Sequence, residues 1–258
     1  MKKAVRILLL IPSLYLVIAP VWYSHWHNTK KCRSIEVTIL DSADYHFVTK
    51  RDILNTVLRK NGNMVGKTVK DINIADIEET MSGYREFKTA EVFISIDGVL
   101  HIVGDQRTPI MRVMAANGGD YYIDDEGVVI RRRNLYTPRL HIVGGNVNIS
   151  QSMLNGVSVL DTSIKNTILK DIFCLVSHIN GDDFWSAQID QIFVDRYDEI
   201  DLIPRVGNHL IHLGSPEGFE DKLRYLKVFY DKVLPEVGWD KYSSISLAYK
   251  DQIVCRRR

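Results

Sequence analysis

Residues Glu91–Ile110 read EVFISIDGVLHIVGDQRTPI. Val92, Ile94 and Ile96 alternate with other side chains, Asp97-Gly98 turns the chain, and Leu100 and Ile102 carry the alternation back. Two period-2 runs about an Asp-Gly pair predict a β-hairpin with a two-residue turn. Upstream, Ile35, Val37 and Ile39 predict a further strand. Between them, Thr49-Lys50-Arg51-Asp52 reads as a helix start, its acid near the positive end of the helix dipole. Ile53, Leu54, Val57 and Leu58 supply an apolar face, and Asn61-Gly62 stops that helix. A second short helix starts near Asn73 and carries Ile74, Ile77 and Met81 before Gly83. The order is strand, helix, helix, strand, strand, over residues 34–107.

Gln106-Arg107-Thr108-Pro109-Ile110 leads into a second, strand-rich region, residues 108–255. Val113 opens it and Asn117-Gly118-Gly119 turns it. Tyr121-Tyr122-Ile123 and Val128-Val129-Ile130 flank Asp124-Asp125-Glu126-Gly127 as a hairpin. Ile164, Ile168, Ile172, Leu175, Val176 and Ile179 fall at helical spacing. Strands resume around 189–194, 199–203 and 210–213. A second helix presents Phe219, Leu223, Leu226, Tyr230 and Val233. Ser244-Ile245-Ser246-Leu247-Ala248-Tyr249 reads as the closing strand, followed by Ile253-Val254-Cys255. The fold class is α+β, an N-terminal span followed by a β-α-α-β-β domain and a β-rich domain with two helices.

Outward to the N-terminus, residues 7–24 are an uncharged apolar run behind Lys2, Lys3 and Arg6. At about 1.5 Å per residue the run reaches roughly 27 Å, the depth of a hydrocarbon core. Trp22, Tyr23 and Trp26 form an interfacial belt, with His25 and His27 beside it. Val17-Ile18-Ala19 is the nearest small-x-small site, but Pro20 follows it, so the run reads as an uncleaved signal anchor. The cations abutting the span favour a cytoplasmic tail, residues 1–6, and an exported body. The first 33 residues hold six cations and no acid. The rest of the 258-residue chain sets 27 basic side chains against all 32 acids. A mildly acidic body excludes sequence-independent nucleic-acid binding.

No catalytic constellation emerges. Asp124, Asp125 and Glu126 read as solvated acids of a turn. His209 and His212 have zinc-ligand spacing, but on a strand an i, i+3 pair points to opposite faces. Gly144-Gly145-Asn146 is a turn without a phosphate-binding signature. Ser163 and Ser177 lack a nucleophile elbow. Cys32, Cys174 and Cys255 form no C-x-x-C pair, one bridge between them stays open, and Cys174 reads as a buried apolar residue. The expectation is a non-enzymatic protein without cofactor or metal.

The terminal segment is the better candidate for function. Ile245, Leu247 and Tyr249 share one face of the expected strand; Ser244, Ser246, Ala248 and Lys250 share the other. Such a strand is open to two readings: it seals the domain's own core, or it lies at a sheet edge where another chain pairs with its backbone. Arg256-Arg257-Arg258 reads as a solvated tail.

Taken in order, these segments resemble the bacterial cell-division family FtsQ, called DivIB in Gram-positive bacteria. The β-α-α-β-β unit is similar to a POTRA domain. Gln106-Arg107-Thr108-Pro109 is similar to the family's E/Q-R-x-P turn, and Tyr122–Gly127 to its hydrophobic-Asp-x-x-Gly hairpin. His212-Leu213-Gly214 is similar to its Leu-Gly step into the last helix, and Ile245–Tyr249 to its closing Asp-Leu-Arg-Tyr strand. The chain departs from the pattern at Gln106, where Glu is common, and at Ser246 and Ala248, where Asp and Arg are common. The resemblance implies a single-pass inner-membrane scaffold at the division site, its body on the periplasmic or extracellular side. It implies FtsB/FtsL-like bitopic partners, received by strand addition at Ser244, Ile245, Ser246, Leu247, Ala248, Tyr249 and Lys250 with the face of the 217–234 helix. FtsK-, FtsW- and FtsI-like proteins are further candidate partners. Two other classes stay open: a POTRA-bearing envelope assembly or translocation component, and a membrane-tethered cell-wall enzyme.

Overall fold

The computed structural model describes residues 15, 18–20, 30–40, 47–132, 137–165 and 167–258. The expected tail 1–6, nearly all of the expected span 7–24, and the aromatic belt with His25 and His27 lie outside these. Among the described residues no helix is long and apolar enough to cross a membrane. The chain divides into two compact units, Met1–Gln106 and Arg107–Arg258.

In the first unit, β1 (Ser34–Leu40), α1 (Lys50–Asn61), α2 (Ile74–Ser82), β2 (Phe87–Ile94) and β3 (Val99–Gln106) follow in that order. β3 is central, with β1 parallel on one side and β2 antiparallel on the other. The start of α1 is a reciprocal cap. Thr49 Oγ1 accepts from Asp52 N at 3.1 Å, and Thr49 N donates to Asp52 Oδ2 at 3.3 Å. Two otherwise orphaned N–H groups are satisfied in this way. Ile53 and Val57 on α1, Ile77 and Met81 on α2, and Leu100 and Ile102 on β3 are buried, so the strand and helix periods meet in one core. The β2–β3 connection has three residues rather than two. Ser95 N donates to Val99 O at 2.9 Å and Gly98 N to Ser95 O at 2.9 Å, leaving Ile96, Asp97 and Gly98 as the loop. Gly98 takes φ 86°, and a Cβ there would approach Lys31 O to 2.7 Å, so the position requires glycine.

The second unit contains β4 (Pro109–Met114), β5 (Asp120–Asp124), β6 (Val129–Arg131), β7 (His141–Gly145), α3 (Gln151–Leu154), α4 (Ile168–Asn180) and α5 (Asp183–Gln188). Then come β8 (Ile189–Val194), β9 (Ile200–Pro204), β10 (Leu210–Gly214), α6 (Phe219–Lys232), α7 (Leu234–Val237), β11 (Tyr242–Ser246) and β12 (Val254–Arg257). Its nine strands form one mixed sheet in the order β12-β11-β10-β9-β8-β7-β4-β5-β6. α4, α5 and α6 contribute Leu169, Ile172, Val176, Trp185, Leu223, Leu226 and Tyr230 to one core. The sheet contributes Met111, Val113, Val143, Ile192, Leu202, Ile211 and Ile245.

Four readings of this region change. β7, at the centre of the sheet, was legible only as a Gly-Gly turn. It pairs in parallel with β4 and β8, and a Cβ on Gly145 would collide with Val194 O, which explains the glycine. Besides the two long helices there are three short ones, α3, α5 and α7. Cys174 is exposed on α4, because Ile172, Phe173, Leu175 and Val176 take the inward positions around it. The closing strand is not residues 244–249. β11 ends at Ser246, and the chain turns through Ala248–Ile253 with Asp251 at φ 56° and returns as β12, antiparallel to β11. The three cysteines are free.

Candidate partner interface

β12 is the sheet edge: β11 pairs with one of its sides, and among the described residues no strand takes the other. The register sets Tyr242 opposite Arg257, Ser244 opposite Arg256, Ile245 opposite Cys255 and Ser246 opposite Val254. Cys255 packs against the core beneath α6, so strand alternation puts Arg257 on that helix-covered face, and Val254 and Arg256 on the open face. Ser243 Oγ donates to Arg256 O at 3.2 Å, Arg258 N to Lys241 O at 3.3 Å, and Arg258 Nη2 to Asn208 O at 2.7 Å. These bonds hold the inner side of β12 in place.

Beneath the end of β12 lies an aromatic cluster. Tyr230 of α6 meets Trp185, Phe184, Trp239 and His209, with ring centroids 5.3–6.2 Å apart. His209 Nε2 and Tyr230 Oη are 2.7 Å apart, and His209 Nδ1 has no hydrogen-bond partner among the described residues. Burial, and then the nearby Arg258 guanidinium, hold the His209 imidazole below its ordinary range. Burial pushes the Tyr230 phenol up, opposed by the Gln188 side chain.

At the start of β12 a cleft of about 390 Å³ opens between α6 and the 247–253 turn, lined among others by Asp221, Lys222, Tyr225, Leu247, Tyr249 and Ile253. Lys222 Nζ donates to Leu213 O at 3.1 Å and Ser215 O at 2.6 Å, tying α6 to the end of β10. Tyr225, Val228, Tyr249 and Val254 are exposed apolar side chains of these same elements.

The residues expected to bind a partner are thus split. Ser244, Ile245 and Ser246 lie in β11 between two strands, and Ile245 is fully buried. Leu247 is also buried, its N–H donating to His212 O at 2.8 Å. Ala248, Tyr249 and Lys250 are exposed in the turn and line the cleft. Alternation therefore stops after Leu247, and Tyr249 does not share the face of Ile245. The free edge belongs to Val254–Arg257, of which the tail reading had taken Arg256 and Arg257 as solvent. The signal was present in Ile253-Val254-Cys255 but too short to separate a strand from a frayed terminus.

His209 and His212 point to opposite faces. His212 Nδ1 lies 2.7 Å from Asp201 Oδ1, and its Nε2 3.5 Å from Glu199, on the open face. Among the described residues no group of three or more His, Cys, Asp or Glu side chains is placed to hold a metal. Asp124 is not a solvated turn acid but fully buried. It accepts from Arg107 Nη1 at 2.6 Å, Val128 N at 2.6 Å and Glu126 N at 3.1 Å. Burial raises its carboxyl above the ordinary range, against the pull of Arg107 and these N–H groups. The Gln-Arg-Thr-Pro turn and the Asp-Asp-Glu-Gly hairpin are thereby joined by the partly buried Arg107, which pairs with buried Asp124 and, at 2.9 Å, with exposed Glu126.

Residues 108–256 match the family model for the FtsQ/DivIB C-terminal related domain, and residues 30–103 match that of the POTRA-like domain. No curated protein matches the chain. The first match spans more than half of the chain, the second nearly all of the β-α-α-β-β unit, and on both the chain belongs to the FtsQ/DivIB family.

Proposed function

We propose that this protein is a membrane-anchored, non-enzymatic scaffold of the division machinery that takes up FtsB/FtsL-like partners by strand addition at the outer edge of β12. Family membership suggests the division scaffold. One observation supports the mode of binding: the row of backbone groups on Val254–Arg257 that no strand among the described residues pairs. An unpaired edge offers main-chain hydrogen bonds to an incoming strand, and alternate side-chain contacts supply specificity. The Tyr249 turn and the exposed side of α6 lie at the start of that edge and would take up the partner's flanking residues. Ala248, Tyr249 and Lys250 stay in the proposed contact, whereas Ser244–Ser246 support β12 from behind. Such recruitment needs neither turnover nor cofactor. FtsK-, FtsW- and FtsI-like proteins are further proposed partners.

The test is calorimetric titration of the purified full chain with the ectodomain complex of the FtsB/FtsL-like proteins of the same bacterium. Cys255→Pro and Arg256→Pro are compared with the unaltered chain. Of two adjacent residues on an edge strand, one directs its N–H outward, and proline there removes a donor without touching the inner ladder. One of the two variants is expected to lose binding while keeping its circular dichroism spectrum. Equal binding by all three proteins moves the interface away from β12, and no binding by the unaltered chain refutes this partner.

A further inference from the structure

We propose that the open face of the nine-stranded sheet packs against the same face of a second copy of this chain, about a two-fold axis over Phe193 on β8. α4, α5 and α6 pack on one face of the sheet, against Val143, Ile192, Leu202 and Ile211. Strand alternation sends the residues between these to the other face. The register aligns Ile142, Gln191 and Ile203 in one row across β7, β8 and β9. It aligns Phe193, Asp201 and His212 in the next, across β8, β9 and β10. Phe193 and Leu210 are 46% and 38% exposed there, and Ile142 and Ile203 are half-buried. Tyr122 and Ile130, at the β5–β6 end, are already buried within the unit, so the open part runs from β4 to β10 and beyond. β4, β7 and β8 are parallel neighbours. Parallel strands are ordinarily covered on both faces, and β7 and β8 carry apolar side chains on both.

The charges on that face point to its own copy as the cover. β8 is the middle strand of the sheet, and its outward side chains Gln191 and Phe193 are uncharged. A residue on a two-fold axis meets its own image, which an aromatic ring or a carboxamide accepts and a charge does not. Charge lies instead two strands away on either side, roughly 10 Å at about 4.8 Å per strand. On the β4 side Asp120 accepts from Arg112 at 2.8 and 2.6 Å and from Arg132 at 3.0 Å, two guanidiniums about one carboxylate. On the β10 side His212 lies 2.7 Å from Asp201 and 3.5 Å from Glu199, two carboxylates about one imidazole. Rotation about an axis along β8 lays β4 over β10 of the second copy and brings each cluster toward its opposite. Opposite signs on the two flanks of one apolar strip make the surface self-complementary. Five strands by about five residues give a footprint of roughly 400 Å² a side, below the ~800 Å² of a standard interface, so the dimer is weak. The inference is independent of strand addition, because it uses side chains of a sheet face and leaves the backbone edge of β12 free.

Sedimentation velocity of the full chain in detergent, from about 20 µM to about 500 µM, reads the dimer. Phe193→Asp and Phe193→Lys each put like charges on the axis and are expected to weaken dimerisation about 10-fold or more. Phe193 is exposed enough that both variants should keep their circular dichroism spectra. Mixed in equal amounts, the two set Asp against Lys, and the heterodimer is expected to recover most of the loss. A variant that had merely lost its fold would not be rescued by mixing. If the unaltered chain stays monomeric over the whole range, the inference is overturned. If it dimerises but both variants dimerise equally well, the copies meet through another surface, and the inference is again overturned. Loss in both variants without recovery on mixing removes the two-fold over Phe193. A monomeric chain whose Phe193→Asp variant binds the FtsB/FtsL-like ectodomain complex more weakly would assign the face to that partner instead. None of these outcomes bears on the proline variants of β12.

Discussion

The nine-stranded sheet has two ends, and they are built to opposite purposes. At one end, β6 is only three residues long, and Val129 and Ile130 are buried with α3 beside them. The hairpin leading into β6 is pinned by the buried Arg107–Asp124 pair. At the other end, β12 exposes Val254, Arg256 and Arg257, and its carboxylate-free cations face solvent. Short length and cover are ordinary ways to silence an edge. Both strands are short, at three and four residues, but β6 is covered as well, whereas β12 carries charge in place of cover. An edge that is closed invests its residues in the fold, and an edge left open keeps its backbone groups toward solvent.

That contrast can be broken by mutation. The largest effect is expected at the closed end from Arg107→Ala. Removing one member of a buried ion pair leaves an uncompensated acid, and urea denaturation should record a loss of about 3–5 kcal/mol. A loss below about 1 kcal/mol would mean that Asp124 is solvated in solution. Next comes Ile130→Ala, which truncates a fully buried strand residue and should cost about 3 kcal/mol by the same measurement. At the open end, Val254→Ala removes a side chain that is 46% exposed and should cost less than about 0.5 kcal/mol. If Val254→Ala proves as costly as Ile130→Ala, β12 is part of the core and the contrast fails.

A pH series sharpens the same comparison. The His209 imidazole has its pKa lowered in the folded protein, so the native state binds fewer protons than the unfolded chain over the interval between the two values. Stability is then fully present above the unfolded value near about 6.5 and declines as pH falls below it. Buried His141, also lowered by burial, works in the same direction. Asp124, whose pKa is raised, works in the opposite direction, over a window that begins at its unfolded value near about 4. Amide hydrogen exchange followed from pH 7.5 down to pH 5.5 should show protection falling first around β10, α6 and the end of β12, with β5 and β6 unaffected. Uniform loss of protection would detach His209 from the open end.

Much of the first unit was legible because its signals are local. The Thr49–Asp52 cap, the apolar spacing of α1 and α2, and the Asp97-Gly98 hairpin each depend on residues within one turn or one hairpin of each other. What escaped was non-local. β7 carries two glycines and reads as a turn until β4 and β8 are placed on either side of it. Cys174 sits among apolar residues in sequence and is turned outward only by the orientation of its helix. Arg107 and Asp124 were both marked by motif, but that one neutralises the other inside the protein follows from the strand register between them.

The sequence alone determined the element types and β-α-α-β-β order of the first unit, and that the chain ends in β structure, because periodicity, caps and turn residues act over a few residues and need no partner. Only the tertiary structure decided which terminal strand is the edge. Residues 244–246 and 254–257 are both short runs able to pair, and a strand becomes interior or exterior solely through what lies on its far side. Closing the 247–253 turn put β12 outside β11, and with it the unpaired backbone and the unpaired arginines.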